Sequence, residues 1–233
     1  MRRPVRVPIE ELRPILLDLS APADPARSPE RLDWRTVFGN DAPVELEVGF
    51  GKGLFLLTAA QQCPDVNFAG VEIEKKYVLY SATRMIKRDL HNVRLAHSDA
   101  RHFLRDRVAD ASLQAIHVYF PDPWWKKRHL KRRVFNEEFV RQGARVLKPG
   151  GRLHVVTDVE EYFGVITGLV AAVPAFRLLP PPRPREAEHD LDYLTNFERK
   201  FRKEGRPIWR ALYERAQAPS PAETSPRSEG ERP

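Results

Sequence analysis

One stretch of the chain places a single carboxylate beside a dense group of cations. The sequence His117-Val-Tyr-Phe-Pro-Asp-Pro-Trp-Trp ends an apolar run and holds Asp122 between two prolines. Each proline fixes its own φ and disfavours helical geometry at the residue before it, so we expect Asp122 in an extended, preset position at a strand end. Six of the eight residues 126–133 that follow are Lys or Arg. The acid is suited to chemistry, and the cations are suited to a polyanion.

A β-turn followed by a solvated basic helix is the competing interpretation of this stretch, because basic runs are usually solvated. It does not account for Trp124 and Trp125, whose flat faces are suited to stacking.

The composition favours a nucleic-acid partner and argues against several other classes of protein. Among 233 residues, 39 basic and 32 acidic side chains give a net charge of +7. Cys63 is the single cysteine, which rules out an intramolecular disulfide and a cysteine-based metal site. The seven histidines show no ligand spacing, so we expect no metal. No apolar run approaches the length of a membrane span and no signal peptide is visible, which favours a soluble, cytoplasmic protein.

Strand-like apolar segments alternate with helical patterns through most of the chain. The predicted strands are residues 44–48, 67–73, 93–97, 113–120 and 152–157, with a last, antiparallel strand over 208–214. Helical patterns follow the first five, the first of them over residues 54–62. This alternation predicts a parallel sheet covered by helices on both faces.

The ends of the chain differ in composition from its middle. We expect a flexible, partly disordered N-terminal extension over residues 1–40 and a disordered tail over 216–233, which leaves one domain over 41–215. The proline-rich residues 174–184 predict an extended surface connection.

Acidic residues stand at the ends of three successive predicted strands. Glu47 lies in Glu-Val-Gly-Phe-Gly-Lys-Gly, where Gly49 and Gly51 allow a ligand to approach the backbone closely. Glu72 ends the second strand and Asp99 follows the third. Because open α/β sheets bind ligands at the carboxyl ends of their strands, these acids predict a ligand site.

The groups that the three acids could bind occur together in one ligand. Glu47 suits a cationic group, Glu72 can accept both hydroxyls of a ribose, and Asp99 can accept from an adenine amino group. An ammonium, a ribose and an adenine without phosphate describe S-adenosylmethionine. Each acid alone is explained as well by a helix cap or a solvated loop. A nicotinamide dinucleotide fits less well, because Leu54 stands where its fingerprint needs a third glycine.

The sequence resembles the bacterial tRNA (guanine-N7)-methyltransferases, a family of class I S-adenosylmethionine-dependent methyltransferases. The resemblance runs from Val44 to Arg215. It rests on the glycine motif, Gly70-Val-Glu-Ile, Phe120-Pro-Asp-Pro-Trp with Lys-Lys-Arg-His, Leu147-Lys-Pro-Gly-Gly, Thr157-Asp158 and Thr195-x-Phe-Glu198. The Phe-Pro-Asp-Pro-Trp run is far more specific than the glycine motif. The family usually has proline where this chain has Trp125.

The resemblance implies a Rossmann-like fold, with a seven-stranded, mostly parallel sheet whose last strand is antiparallel. It implies methyl transfer to N7 of guanine at position 46 in the variable loop of tRNA, and it leaves monomer and homodimer open. Asp122 is then catalytic and also touches the cofactor, together with Glu47, Gly49, Gly51, Glu72 and Asp99. The substrate residues implied are Lys126, Asp158, Thr195, Asn196, Phe197 and Glu198, and the RNA residues are Arg128, His129, Leu130, Lys131, Arg132 and Arg133.

Two further interpretations of the whole chain remain. A methyltransferase for exocyclic amines uses an Asp/Asn-Pro-Pro-aromatic turn at the same strand end, and Asp122-Pro-Trp-Trp is a distant variant of it. A catalytically silent RNA-binding protein on the same fold would not need its acids. Locally, Thr195 and Glu198 have the spacing of a helix capping box, which is compatible with a place at the site.

Overall fold

The computed structural model describes residues 7–19, 31–182, 186, 189 and 193–217. Its strands are β1 (Val44–Val48), β2 (Asn67–Glu72), β3 (Val93–His97), β4 (Leu113–Tyr119), β5 (Leu147–Thr157), β6 (Phe176–Leu179) and β7 (Trp209–Arg215). Its α-helices are α1 (Ile9–Leu12), α2 (Trp34–Phe38), α3 (Leu54–Gln62), α4 (Lys75–Ile86), α5 (Ala100–Arg107), α6 (Glu137–Val146), α7 (Glu160–Ala171) and α8 (Asn196–Lys203). A 3₁₀ helix, Lys127–Arg132, is called the cationic turn below.

The seven strands form one sheet in the order β3-β2-β1-β4-β5-β7-β6. The first five strands along the chain are parallel, and β7 is antiparallel to both of its neighbours. The predicted fold is therefore confirmed, including the reversed last strand. Strands β2 and β4 lie on opposite sides of β1, so the direction of winding changes there. A crevice forms outside the carboxyl ends of the strands at such a switch point.

Each face of the sheet has its own apolar core. One face packs against α5, α6 and α7 through Phe103, Phe139 and Tyr162, all fully buried. The opposite face packs against α1, α3 and α4. Because side chains alternate along a strand, Leu46 joins the first core while Glu47 points to the second face.

The segment predicted as an extended connection contains a strand. Residues Phe176–Leu179 form β6, which pairs with β7 alone at the edge of the sheet. None of its four residues is buried, and Leu178 is 65% exposed. Backbone pairing with β7 and the packing of Phe176 against the first core hold the strand, so part of the segment predicted as an extended surface connection is an edge strand. In addition, β5 begins at Leu147, five residues before the predicted start.

The residues before β1 include two short helices that the sequence pattern did not predict. Leu12 and Ile15 are buried against the core beside α4. The amide of Leu95 donates to the carbonyl of Ile15, and the amide of Leu17 donates to the carbonyl of Leu95, at 2.7 and 2.8 Å. These residues therefore cover the free edge of β3. The domain division at residue 40 stays a prediction, and the predicted tail lies almost entirely outside the described residues.

Gly70 in β2 lets the glycine loop and α3 pack directly on the sheet. A Cβ atom at this position would lie 2.6 Å from the Cδ1 atoms of both Leu56 and Phe50, and 3.0 Å from Cδ2 of Leu95. All three neighbours are buried. The close approach gives a physical reason for glycine in the Gly-Val-Glu-Ile segment.

We expect Gly70→Ala to lower the free energy of unfolding by about 1–3 kcal/mol, because the added methyl overpacks the core. Gly164→Ala is the matched control, since Gly164 is an exposed position of α7 with open space around a Cβ atom. That change should stabilise the helix by up to about 1 kcal/mol. Urea unfolding measures both, and equal effects of the two substitutions would contradict the packing account.

Candidate active site at the carboxyl ends of the strands

The loop after β1 is shaped by three glycines with left-handed backbone conformations. Gly49, Gly51 and Gly53 have φ of 72°, 52° and 64°. A Cβ atom at Gly49 or Gly51 would meet nothing within 4 Å, so the backbone there borders open space. The Gly51 amide donates to Oε2 of Glu72 at 2.9 Å, and Ser81 donates to the carbonyl of Gly51 at 3.1 Å. The loop is thus fixed from β2 and α4 while its own surface stays open to a ligand.

Glu47 is buried below this loop without a full set of partners. The residue is 2% exposed, and its Oε2 atom has no hydrogen-bond partner among the described residues. Burial raises the pKa of Glu47 to about 8, and the nearby charge of Glu72 adds a smaller increase. A hydrogen bond from the backbone of Leu56 acts in the opposite direction and lowers the pKa. The carboxyl group is therefore largely protonated at neutral pH, and an arriving cation would favour its ionised form.

The other two strand-end acids already have protein partners. Glu72 accepts the amides of Gly51 and Glu74 at 2.9 and 3.0 Å. Asp99 caps α5 by accepting the amide of Arg101 at 2.9 Å, and its carboxylate forms an ion pair with the Arg101 guanidinium. That pair lowers the pKa of Asp99. Each carboxylate oxygen has two lone pairs, so both acids keep acceptor capacity for a ligand. The register of β1, β2 and β3 brings the three predicted acids together at the carboxyl ends of these strands.

Asp122 lies in a turn flanked by two strained residues. Phe120 and Trp124 have φ of 50° and 42°, conformations that non-glycine residues rarely adopt. Residues 120–126 contain no helix, Phe120 takes a left-handed conformation, and the extended position of Asp122 stays a prediction. Such strain persists only where the surroundings enforce it. The amide of Phe120 donates to the carbonyl of Val156 on β5, and Arg133 donates to the carbonyl of Pro123, both at 2.7 Å.

The Asp122 side chain forms no hydrogen bond or ion pair with any residue that the structure describes. Partial desolvation raises the pKa of its carboxyl group. Glu47 and Asp122 are thus two of the predicted site acids that retain an unpaired oxygen atom among the described residues.

The cationic turn presents its side chains to solvent, and none of its six residues is buried. Arg132 lies over the Trp124 ring at 5.1 Å from its centroid, and His129 contacts the same ring edge-on. Trp125 is 54% exposed. Lys126 is exposed at the start of the turn, and Arg133 stands over the ring of Tyr162 at 4.8 Å. The predicted RNA residues therefore form a cationic and aromatic surface next to Asp122.

The predicted substrate motif begins α8. Thr195 is the N-cap and accepts the amide of Glu198 at 3.0 Å. Glu198 is 2% exposed and accepts the amide of Leu194 at 2.7 Å, one residue before the N-cap amide that a capping box uses. Phe197 is 56% exposed and lies 6.1 Å, centroid to centroid, from Phe120. The prediction that Thr195 is the N-cap is therefore confirmed, although Glu198 bonds Leu194 in place of the Thr195 amide. The ring contact with Phe120 holds Phe197 beside the Asp122 turn.

Three arginines that the sequence pattern did not single out neutralise predicted site acids. Arg101 pairs with Asp99, Arg206 pairs with Asp158, and Arg210 pairs with Glu198. Only Arg101 carried a local signal, because it stands two residues after Asp99. The other two acids meet their arginines through the antiparallel docking of β7 on β5, which places Arg210 opposite Val156.

A separate cavity of about 390 Å³ lies on the second face of the sheet. Its polar lining includes His117, which bonds Glu45 and Tyr119 at 2.8 Å each and stacks on His154. Glu198 borders this cavity, whereas Glu47, Glu72, Asp99 and Asp122 do not. The strand-end acids thus lie outside this cavity. Their chemistry favours the carboxyl ends of the strands as the reaction site.

The described residues contain no group of three or more His, Cys, Asp or Glu side chains able to hold a metal ion. They also contain no helix with the length and apolar character needed to cross a membrane.

The raised pKa of Glu47 predicts a pH dependence of stability. The folded state binds this proton more tightly than the unfolded state, whose Glu titrates near 4.5. Stability from this group is therefore present at low pH and declines as pH rises from about 4.5 to about 8. Urea unfolding of the ligand-free protein at several pH values should show this decline. Glu47→Gln should remove this decline of stability, and the control Glu204→Gln, at an exposed site, should leave it unchanged. An unchanged decline in Glu47→Gln would contradict the raised pKa of Glu47.

Comparison with known proteins identifies the family of the chain. A family model described as "Putative methyltransferase" matches residues 41–211. The tRNA (guanine-N(7)-)-methyltransferase of Rhodopirellula baltica is 44% identical over 195 residues, which cover 81% of this chain and 72% of that protein. The enzyme of the same name from Pseudomonas aeruginosa is 39% identical over 193 residues, covering 81% and 77%.

Solved structures share the fold. The 16S rRNA methyltransferase KamB superposes with a TM-score of 0.59 at 18% identity, covering 82% of this chain and 97% of that chain. A SAM-dependent methyltransferase from Aquifex aeolicus gives a TM-score of 0.51 at 14% identity, covering 78% and 87%. The sequence matches span most of the sheet and both flanking layers, and the chain belongs to the methyltransferase family of the tRNA (guanine-N(7)-)-methyltransferases.

Proposed function

We propose that the protein transfers a methyl group from S-adenosylmethionine to N7 of guanine in tRNA, at position 46 of the variable loop. The observation that supports this most strongly is the position of Asp122. It stands in a strained turn beside β1 and its glycine loop, and the cationic turn follows five residues later. The relatives named for this reaction match the chain across that whole region.

The residues at the carboxyl ends of the strands fit the cofactor. The unpartnered, buried oxygen of Glu47 suits an ammonium group, and the open backbone at Gly49 and Gly51 leaves room for close approach. Glu72 would accept the ribose hydroxyls and Asp99 the adenine amino group, each through lone pairs not used by the protein. S-adenosylmethionine, when bound, supplies an electrophilic methyl carbon attached to a sulfonium.

Asp122 would act by position and charge, without removing a proton. Guanine N7 carries an in-plane lone pair and no proton, so its attack on a methyl carbon needs no general base. The ring becomes cationic as the new bond forms, and the charge spreads towards N1 and the exocyclic amine. The Asp122 carboxylate can accept hydrogen bonds from those donors and oppose the growing charge. Its rigid setting limits reorganisation during the reaction.

The neighbouring elements would hold the RNA. Lys126 and the cations of the turn would contact phosphates, and the exposed rings of Trp125 and Phe197 offer stacking surfaces for unpaired bases. Asp158, Thr195, Asn196 and Glu198 would help to place the guanine. Because Arg206 neutralises Asp158 and Arg210 neutralises Glu198, the substrate side of the site carries little net charge around these acids. A tRNA substrate favours a cytoplasmic protein.

The test is to incubate the protein with labelled S-adenosylmethionine and bulk tRNA, digest the RNA and identify the labelled nucleoside. We expect 7-methylguanosine. A nucleoside methylated on an exocyclic amine would support the rival methyltransferase class, and absence of cofactor binding would support a silent RNA-binding protein.

We expect Asp122→Asn to lower kcat by roughly 10²-fold or more, because the amide keeps the shape and loses the charge. Cofactor affinity should change less than turnover. Wild-type turnover should also fall on the acidic side as pH drops through the raised pKa of Asp122, and this limb should be missing in the variant. Asp41→Asn, exposed before β1, is the control. A kcat near that of the wild type at saturating tRNA would show that the turn is only structural.

A further inference from the structure

Arg101 contacts two parts of the site that belong to different elements. Its Nε and Nη2 atoms bond the two carboxylate oxygens of Asp99 at 3.1 and 2.6 Å. Its Nη1 atom donates to the backbone carbonyl of Lys131, in the cationic turn, at 2.9 Å. One rigid guanidinium therefore spans the distance from a strand-end acid at β3 to the cationic turn.

The cationic turn depends on this contact for its placement. None of the turn's residues is buried, and its other hydrogen bonds are local, such as the His129 amide to the Lys126 carbonyl. Among the residues that the structure describes, the Arg101 bond is the one hydrogen bond that joins the turn Lys127–Arg132 to another helix or strand. Its loss would leave the turn attached through its chain ends and through ring contacts with Trp124.

We propose that Arg101 is a positioning residue that couples cofactor binding at Asp99 to RNA binding at the cationic turn. The inference rests on the proposed function, because it takes Asp99 as an acceptor for adenine and the turn as a phosphate contact. A ligand on Asp99 fixes its carboxylate, the carboxylate fixes the guanidinium, and the guanidinium fixes the Lys131 carbonyl. The first ligand to bind orders this chain of contacts, so the second binds to an already ordered site.

The coupling is positive and reciprocal. Both side chains of the ion pair are partly exposed, 29% for Arg101 and 23% for Asp99, so solvent screens the pair and its effect lies in geometry more than in net stability. Coupling free energies of this kind correspond to affinity changes of roughly 5-fold or more, and each ligand must change the affinity for the other by the same factor.

The same helix supplies a matched control. Arg105 is one turn further along α5 and pairs with its neighbour Asp106 on the surface. Among the described residues it forms no hydrogen bond or ion pair with Asp99 or with the cationic turn, and the charge of Asp99 acts on it only weakly. Arg105→Gln and Arg101→Gln therefore remove the same charge from the same helix, and only the second removes the bridge.

The experiment measures the dissociation constant of a tRNA transcript with and without saturating S-adenosylhomocysteine, for the wild type and each variant. We expect tRNA affinity to rise about 5-fold with the ligand in the wild type and in Arg105→Gln. The ratio should fall to about one in Arg101→Gln. Arg101→Lys should also lose the coupling, because an ammonium lacks the planar fork that holds two acceptors at once. Melting temperatures would show whether each variant is folded, and Arg101→Lys carries the test if the glutamine variant is not.

A ratio near one in a wild type that binds both ligands would overturn the inference, as would an unchanged ratio in a folded Arg101 variant. A wild type that binds neither S-adenosylhomocysteine nor tRNA would instead contradict the proposed function. The two failures are thus distinguished by the binding of each ligand alone.

Discussion

The site is organised around a buried carboxyl group that the protein does not fully satisfy. Glu47 is the penultimate residue of β1, the strand at which the direction of winding changes, and its Oε2 atom has no partner among the described residues. Leaving such a group unsatisfied costs free energy, and raising its pKa is how the ligand-free protein limits that cost. Gly70 lets the glycine loop pack closely above the sheet, and the Glu72 carboxylate fixes the loop by accepting the amide of Gly51. The surrounding structure thus preserves a place for a cation at one edge of the sheet.

Partners are distributed unequally among the acids of the site. Asp99, Asp158 and Glu198 each pair with an arginine, whereas Glu47 and Asp122 keep unpaired oxygens. An arginine partner turns a paired acid towards one side, and a bound ligand can restrict the pair further. Glu47, which is fully buried, responds strongly to a new positive charge, whereas Asp122 is an exposed residue whose carboxyl group is only partly desolvated. In the proposed function the two kinds of acid would have two roles, with the paired set positioning ligands and Glu47 and Asp122 stabilising charge.

Local patterns in the sequence predicted most of the fold and part of the site. Val44–Val48, Leu54–Gln62 and Val93–His97 have the predicted bounds because strong apolar patterns and flanking polar residues define them. β6 escaped prediction because backbone pairing with β7 holds it and no apolar face marks it. The acids could be placed at strand ends from sequence, since parallel strands bring their carboxyl ends together. Their arginine partners could not, because Arg206 and Arg210 reach the site through the docking of β7, which no local pattern encodes.

The most direct test of the account is the proton balance of cofactor binding. Calorimetry of S-adenosylmethionine binding at pH 7, in buffers of different ionisation enthalpy, counts the protons released. With a pKa of about 8, Glu47 is mostly protonated in the free protein, and a bound cation should drive off roughly one proton per site. Methylthioadenosine, which lacks both cationic groups, should release none, nor should S-adenosylmethionine binding to Glu47→Gln. Binding of S-adenosylmethionine to the wild type without proton release, or with equal release in Glu47→Gln, would contradict the account.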